Sequence, residues 1–409
     1  MASGPLDGIR VVDLTSVFFG PYGTQILADQ GADVIKVEAP GGDPTRGIEP
    51  SRSPGMGAVF LSVNRNKRSV VLDLKQAAAR EALLRIVAGA QVFVHSMRPQ
   101  AIARLKLTYA DLKPLRPDLI HVSAWGFSSR GPYAEKPAYD DIIQALSGIA
   151  DLPRRRGDHD EPAYMPMTAA DKTAGLMLAQ ATTAALLHQA RTGEGQEIEV
   201  PMFECLTAYN LLENMAGATF VPPAGGMGYD RNLAPFRRPY RTSDGHLSVL
   251  PYNTKQWQAF FRAAERPDMV DDPRVTDPRQ RSLAIAELYV IVAEIMAERS
   301  TADWLARMEE ADVPAMPINR LEDLLEDPHL TATDFFLEVE HPSEGRLRTM
   351  ALPTRLAATP GAPTRRPAPR LGEHSREVLT EAGLTERALA ELIASGAVGE
   401  ADPISAAAD

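Results

Sequence analysis

Ile9-Arg10-Val11-Val12-Asp13-Leu14 is a short, mostly apolar run, the mark of a buried strand. Gly20-Pro21 follows and opens a helical pattern over 22–30, with Gly31 placed to end it as a C-cap. A second apolar run over 33–38 predicts another strand. Two strands joined through a helix make a βαβ unit, which implies parallel pairing and a right-handed crossover. The alternation continues with a strand over 69–74, a helix over 76–87, and strands over 91–95 and 119–124. A long Ala- and Leu-rich helix then follows Asp171, with a turn at Arg191-Thr192-Gly193-Glu194-Gly195 and a strand over 196–200. This order predicts a doubly wound α/β domain with a mainly parallel, Rossmann-like sheet.

The periodicity stops near 218, and Gly, Pro and polar residues crowd the chain to 239, as in a loop or linker. Residues 240–325 read as a smaller α+β unit, with a strand pair over 241–249 around Asp244-Gly245. Helices are predicted there over 254–264, 282–297 and 301–311. A Pro-rich stretch over 356–369 leads to terminal helices near 373–382 and 385–395. The predicted division is a large α/β domain over 1–215, a glycine-rich linker over 216–239, a small domain over 240–325, a return to the large domain over 326–399 and a disordered tail over 400–409. No internal repeat is visible.

The chain has 409 residues and a net charge of −11, from 43 basic and 54 acidic residues. That balance argues against nucleic acid or an anionic membrane as a partner. Cys205 is the only cysteine, so neither an intrachain disulfide nor a site of several thiolates on one metal can form. Residues 1–7 do not read as a signal peptide, and the most apolar stretch, 176–187, is too short to span a bilayer. A cytoplasmic enzyme is the expectation.

Among candidate chemical groups Asp171 stands out, within Met167-Thr168-Ala169-Ala170-Asp171-Lys172-Thr173-Ala174-Gly175. Small neighbours let a substrate approach it, and a helix N-terminus favours its ionised form. An accessible carboxylate can attack an activated acyl group. The same position also suits a helix N-cap, and the segment alone does not decide between the two. Lys75 falls at the carboxyl end of a predicted strand, where ligands of open parallel sheets bind. Arg98 and Arg104 follow the next strand and could grip phosphates or simply line a helix surface. Gly225-Gly226-Met227-Gly228 is either a flexible loop or a set of N–H donors for an oxyanion. Gly20-Pro21-Tyr22-Gly23 departs from the dinucleotide fingerprint, and Pro21 removes a donor, which argues against NAD. His95, His121 and His159 lack metal-ligand spacing, and no G-x-S-x-G elbow occurs.

Taken in order, these segments resemble the family III CoA-transferases. The resemblance runs from Leu6-Asp7-Gly8-Ile9-Arg10 to Leu371-Gly372-Glu373-His374. Its landmarks include Leu27-Ala28-Asp29-Gln30-Gly31-Ala32-Asp33, Asn66-Lys67-Arg68-Ser69, Gly131-Pro132-Tyr133, Gln144-Ala145-Leu146-Ser147-Gly148 and Asp327-Pro328-His329-Leu330.

The resemblance implies an interlocked homodimer whose large domain is built from both chain ends. It makes Asp171 the catalytic carboxylate. Its coenzyme A positions fall on Val17, Phe18, Phe19, Leu72, Lys75, Ser96, Met97, Arg98, Arg104, Pro137, Ala138 and Asp140. Tyr139, Gly225, Gly226 and Gly228 fall where substrate or oxyanion would lie. Acyl-CoA and a carboxylic acid are the implied substrates, with no permanently bound cofactor and no metal. Phe18, Ala39 and Pro137 stand where formyl-CoA transferase has glutamine, arginine and lysine, so formyl-CoA and oxalate are poor guesses. An α-methylacyl-CoA racemase shares the fold but needs a His where this chain has Tyr139 and a Glu where it has Asn253. Neither replacement suits proton transfer, so transfer of CoA is expected over racemisation. A catalytically silent acyl-CoA-binding protein is the third alternative.

Overall fold

Seven strands order as β12-β3-β2-β1-β4-β5-β6. They are β1 (Arg10–Leu14), β2 (Asp33–Glu38), β3 (Lys67–Leu72), β4 (Val92–His95), β5 (Ile120–Trp125), β6 (Glu197–Pro201) and β12 (Val398–Gly399). A computed structural model of the chain describes residues 4–401, so most of the tail expected over 400–409 lies outside the described residues. The first six strands pair in parallel, and β12 closes the β3 edge antiparallel, with Val398 opposite Leu72. The central sheet is therefore mixed but mainly parallel.

Both sheet faces are covered, and β1 to β4 are buried almost throughout. On one face Val12, Leu14, Ile35, Val37, Val70, Leu72 and Phe93 pack with the helices Ala77–Ala88, Ser375–Glu381 and Glu386–Ala394. Opposite them lies a row of buried charge. Asp13 pairs in register with Lys36, and Lys36 with Ser69. Lys67 Nζ donates to Asp13 Oδ2 at 3.1 Å and Lys36 Nζ to Asp43 Oδ2 at 2.8 Å, all four groups being buried. Buried charges persist only when paired and hydrogen-bonded, and both lysines also reach carbonyl oxygens, Lys36 that of Thr15 and Lys67 that of Pro21. Burial lowers the Lys67 ammonium to about 8 despite Asp13.

The chain divides into two compact units, Met1–Ser147 with Met165–Tyr209 and His329–Asp409 in the first, and Gly148–Tyr164 with Asn210–Pro328 in the second. This differs from the sequence reading. Residues 148–164, expected in the large domain, belong to the second unit, and so does all of 216–239, expected as a linker. The supposed linker is tied down by backbone hydrogen bonds, Gly217 N–H to Gly226 O at 3.0 Å and Gly228 N–H to Asn214 O at 2.8 Å. The second unit contains the antiparallel sheet β7 (Tyr240–Arg241), β8 (His246–Val249) and β9 (Ala315–Pro317). Its core stacks Trp257, Phe260, Phe261, Tyr289 and Trp304. In the first unit, the hairpin β10 (Phe336–His341) and β11 (Gly345–Met350) was not anticipated, because its alternating residues include few large apolar ones.

Candidate active site

The strand order reverses between β1 and β4, and ligands of such sheets bind at the carboxyl ends flanking that point. The loop after β1 and the loop after β4 meet there, with Ser16 N–H donating to Ser96 Oγ at 3.2 Å. Between them opens a cleft of about 220 Å³, lined among others by Val17, Phe19, Ser96, Arg98, Lys136, Tyr139 and Asp171.

The β1 loop is strained. Val17 has φ of 70°, a left-handed conformation that a β-branched residue rarely adopts. Such a residue costs about 1–3 kcal/mol and survives only where its surroundings over-determine it. Here Asp43 accepts the Val17 N–H at 3.3 Å, and Lys36 in turn holds Asp43. The helix Phe19–Asp29 starts two residues further on, and the Phe19 backbone N–H at its start favours the charged form of Asp171.

Asp171 is the third residue of the helix Ala169–Thr192. That helix crosses Phe19–Asp29 at backbone contact. A Cβ on Gly175 would lie 2.7 Å from Tyr22 Cδ1 and 3.0 Å from Phe19 O, and one on Gly23 would lie 2.9 Å from Gly175 O. Only glycine permits this approach. It brings the N-termini of the two helices together, and the Phe19 backbone N–H favours the charged form of the Asp171 carboxylate.

The N-cap of the Asp171 helix is Thr168, which makes no side-chain cap bond. The Asp171 N–H is capped instead from another helix, by Asp140 Oδ1 at 3.0 Å. Asp171 is thus not its own helix's cap, and its carboxylate stays free for chemistry. The helix N-terminus was expected to keep it ionised. The Phe19 N–H and Lys172 do favour the ionised form, but burial, with only 8% of the residue exposed, and the nearby Asp140 carboxylate outweigh them. The acid is pushed up to about 7.

The structure distributes the remaining expected residues as follows. Val17, Phe19, Ser96, Arg98, Pro137, Ala138 and Tyr139 line the cleft with Asp171. Phe18 turns into a neighbouring, mostly apolar cavity of about 460 Å³ with Tyr22, Lys172 and Leu176. The Leu72 side chain lies in the core, Lys75 is exposed beyond the end of β3, and Arg104 is exposed in the last turn of the helix Pro99–Arg104. Met97 packs against the core, its carbonyl taken by Trp125 Nε1 at 2.7 Å. Asp140, expected to meet coenzyme A, is buried with both carboxylate oxygens engaged inward. Gly225, Gly226 and Gly228 lie in the second unit, and the Gly228 N–H is spent on Asn214, so it has no donor for an oxyanion. Asn253, at the position where a racemase would carry an acid, caps the helix Thr254–Ala263 in a reciprocal pair with Gln256.

Lys136 lines the cleft but was missed. The lysine sought at 137 stands one position earlier, and its ammonium lies 4.2 Å from the centre of the Tyr133 ring. Among the described residues no helix is long and apolar enough to cross a membrane, and no group of three or more His, Cys, Asp or Glu could hold a metal.

The family model of CoA-transferase family III matches residues 6–375. The chain is 33% identical over 394 residues to a succinate–glutarate CoA-transferase of Agrobacterium fabrum, covering 94% of this chain and 97% of the relative. It is 35% identical over 399 residues to a succinyl-CoA:mesaconate CoA-transferase of Haloarcula marismortui, covering 93% and 97%. A crystal structure of a CAIB/BAIF family protein from Brucella suis superposes with a TM-score of 0.76 at 32% identity, covering 93% of this chain and all 100% of that one. A reversed α/β sheet with a carboxylate and two cations at its switch point, and matches spanning nearly the whole chain, lead to one assignment: the protein belongs to CoA-transferase family III and is an enzyme that transfers coenzyme A.

Proposed function

We propose that this enzyme moves coenzyme A through covalent intermediates on Asp171. The observation that carries the reading is one buried carboxylate reaching the cleft that also presents Arg98 and Lys136. The cations suit the phosphates of coenzyme A, which approach a carboxyl-end crevice.

The ionised Asp171 attacks the thioester carbonyl of the donor. The C–S bond breaks, leaving a mixed anhydride and coenzyme A thiolate. The thiolate attacks the Asp171 acyl carbon, the anhydride C–O bond breaks, and the donor leaves as a carboxylate. The acceptor carboxylate then attacks the aspartyl thioester and releases thiolate, forming a second anhydride. Thiolate attack on the acceptor's acyl carbon yields the new acyl-CoA and regenerates the Asp171 carboxylate. A carboxylate nucleophile suits this sequence because anhydride and thioester both stay activated. The Phe19 N–H, which favours the charged form of Asp171, stabilises negative charge there.

The working form is a homodimer. The Asp171 helix leaves Leu176 and Leu187 exposed by 55% and 52%, an apolar face that a second copy of the chain would cover. Light scattering at micromolar concentration tests this, and a monomer mass would refute it.

The chemistry is tested by incubation with succinyl-CoA and glutarate or mesaconate, the substrates named for the relatives, followed by hydroxylamine. The expected result is a hydroxamate mapped to Asp171 and absent from Asp171→Ala. CoA transfer at wild-type rate in Asp171→Ala would end the proposal.

A further inference from the structure

Resting on the reading of Asp171 as nucleophile, we propose that Asp140 is its positioning residue, fixing Asp171 from the neighbouring helix while confronting it with a second buried negative charge. Asp140 opens the short helix Asp140–Leu146. Its Oδ1 accepts the Asp171 N–H at 3.0 Å, and its Oδ2 accepts from Gln144 Nε2 at 2.6 Å. Gln144, itself buried, also donates from Nε2 to Met167 O at 3.1 Å and accepts from Met165 N–H at 2.9 Å. One carboxylate and one amide therefore staple the segment leading into the Asp171 helix as well as its first turn. A helix start leaves four N–H groups without intrahelical partners, and here Thr168 supplies no side-chain cap.

A neutral polar cap with an acceptor oxygen would meet the structural need alone, so the charge calls for a second explanation. The groups that act on Asp171 are Asp140, Lys172 and the Phe19 N–H, and Arg98, Lys136 and Tyr139 line the same cleft. Against the ionised Asp171, Asp140 is a like charge in a buried setting, which raises the free energy of the resting nucleophile. The anhydride and the thioester of Asp171 are both neutral, so acylation removes the repulsion. Asp140 thereby makes Asp171 a more basic nucleophile and favours its covalent forms.

The test follows Asp171 acylation by hydroxamate mapping from pH 5.5 to 8.5 in wild type, Asp140→Asn and Gln144→Ala, with circular dichroism as the check on folding. Asp140→Asn keeps an oxygen for the Asp171 N–H but removes the charge, whereas Gln144→Ala loosens the staple and keeps it. We expect the rising limb of Asp140→Asn to move acid by about one pH unit, so that relative to its own plateau it acylates roughly fivefold faster at pH 6. Gln144→Ala should lower the plateau and leave the limb in place. An Asp140→Asn limb that coincides with wild type would reduce Asp140 to an ordinary cap and overturn the inference. Absence of any adduct in wild type would instead defeat the nucleophile reading. Difference infrared titration of the Asp171 carboxyl, referenced to Asp171→Asn, reports its proton affinity without turnover. It serves for Gln144→Ala and Asp140→Glu, which retain the charge, if Asp140→Asn does not fold. Failure of Asp140→Glu to keep the Asp171 midpoint within the wild-type range would also count against the inference.

Discussion

Replacing Asp171 by Asn should abolish acylation and yet stabilise the protein, by an amount that grows with pH. Asp171 binds its proton more tightly when folded, its value rising from the usual 3.8 to about 7. A group raised in this way contributes stability below about pH 4 that is lost as pH climbs through 7. The shift of about 3 units, at 1.36 kcal/mol each, sets a ceiling of about 4 kcal/mol on what the wild type gives up by pH 8.5. Asparagine carries no charge to desolvate, and its oxygen can still accept the Phe19 N–H, though more weakly than a carboxylate. A net gain of about 2 kcal/mol at pH 8.5 and near zero at pH 4.5 is therefore expected, a few degrees in melting temperature. Thermal unfolding of both proteins at equal concentration, at pH 4.5, 6, 7 and 8.5, reads the gap directly. A gap that is constant with pH, or widest in acid, would refute the argument that burial and Asp140 together destabilise the charged nucleophile.

Three further substitutions probe the scaffold and the cations. Arg98→Ala should raise KM for acyl-CoA about tenfold with little change in kcat, and added salt should weaken wild type more than the variant, as steady-state kinetics at two ionic strengths would show. Gly175→Ala drives a Cβ against Tyr22 and the Phe19 carbonyl, so a loss of about 1–3 kcal/mol in urea unfolding and a slower acylation of Asp171 are expected. Lys67→Met leaves the buried Asp13 without its cation and should cost about 3–5 kcal/mol, of which Asp13→Asn in the same chain should return at least half.

The parallel core was legible because buried strands carry their own signal. The strand over 33–38 was read to the residue, and β1, β4, β5 and β6 to within one at each end. The strand read as 69–74 begins at Lys67, since Lys67 and Arg68 look like a surface run until their partners are seen. Asp13 lies far away in sequence and on another strand, and so does Asp33, which pairs with Arg68. The helix Phe19–Asp29 begins before the expected 22, since Pro21 was read as a start signal although it is tolerated throughout the first turn. The helix Met202–Asn214 was missed because it follows β6 with no intervening turn residue. The boundary between units failed where polar and glycine-rich composition was read as linker, because composition does not show that such a segment has satisfied its backbone within a neighbouring unit.

The site shows the same division between what is local and what is not. Asp171 could be singled out from small neighbours and a helix start, but those features fit a cap and a nucleophile equally. What separates the two is the position of two distant groups. Asp140 takes over the capping of the Asp171 helix, and the Phe19 N–H, two residues past the left-handed Val17 that Asp43 holds, favours the charged carboxylate. The second depends on the glycine contact between two helices, since a single methyl group at Gly175 would push them apart. A carboxylate so placed is capped by nothing of its own, faces one donor and one like charge, and opens on a cleft with two cations. Burial and the like charge of Asp140 outweigh the donor and favour the neutral, acylated form over the resting charge, so the destabilisation expected of the folded resting enzyme and the covalent reactivity proposed for it have the same physical cause.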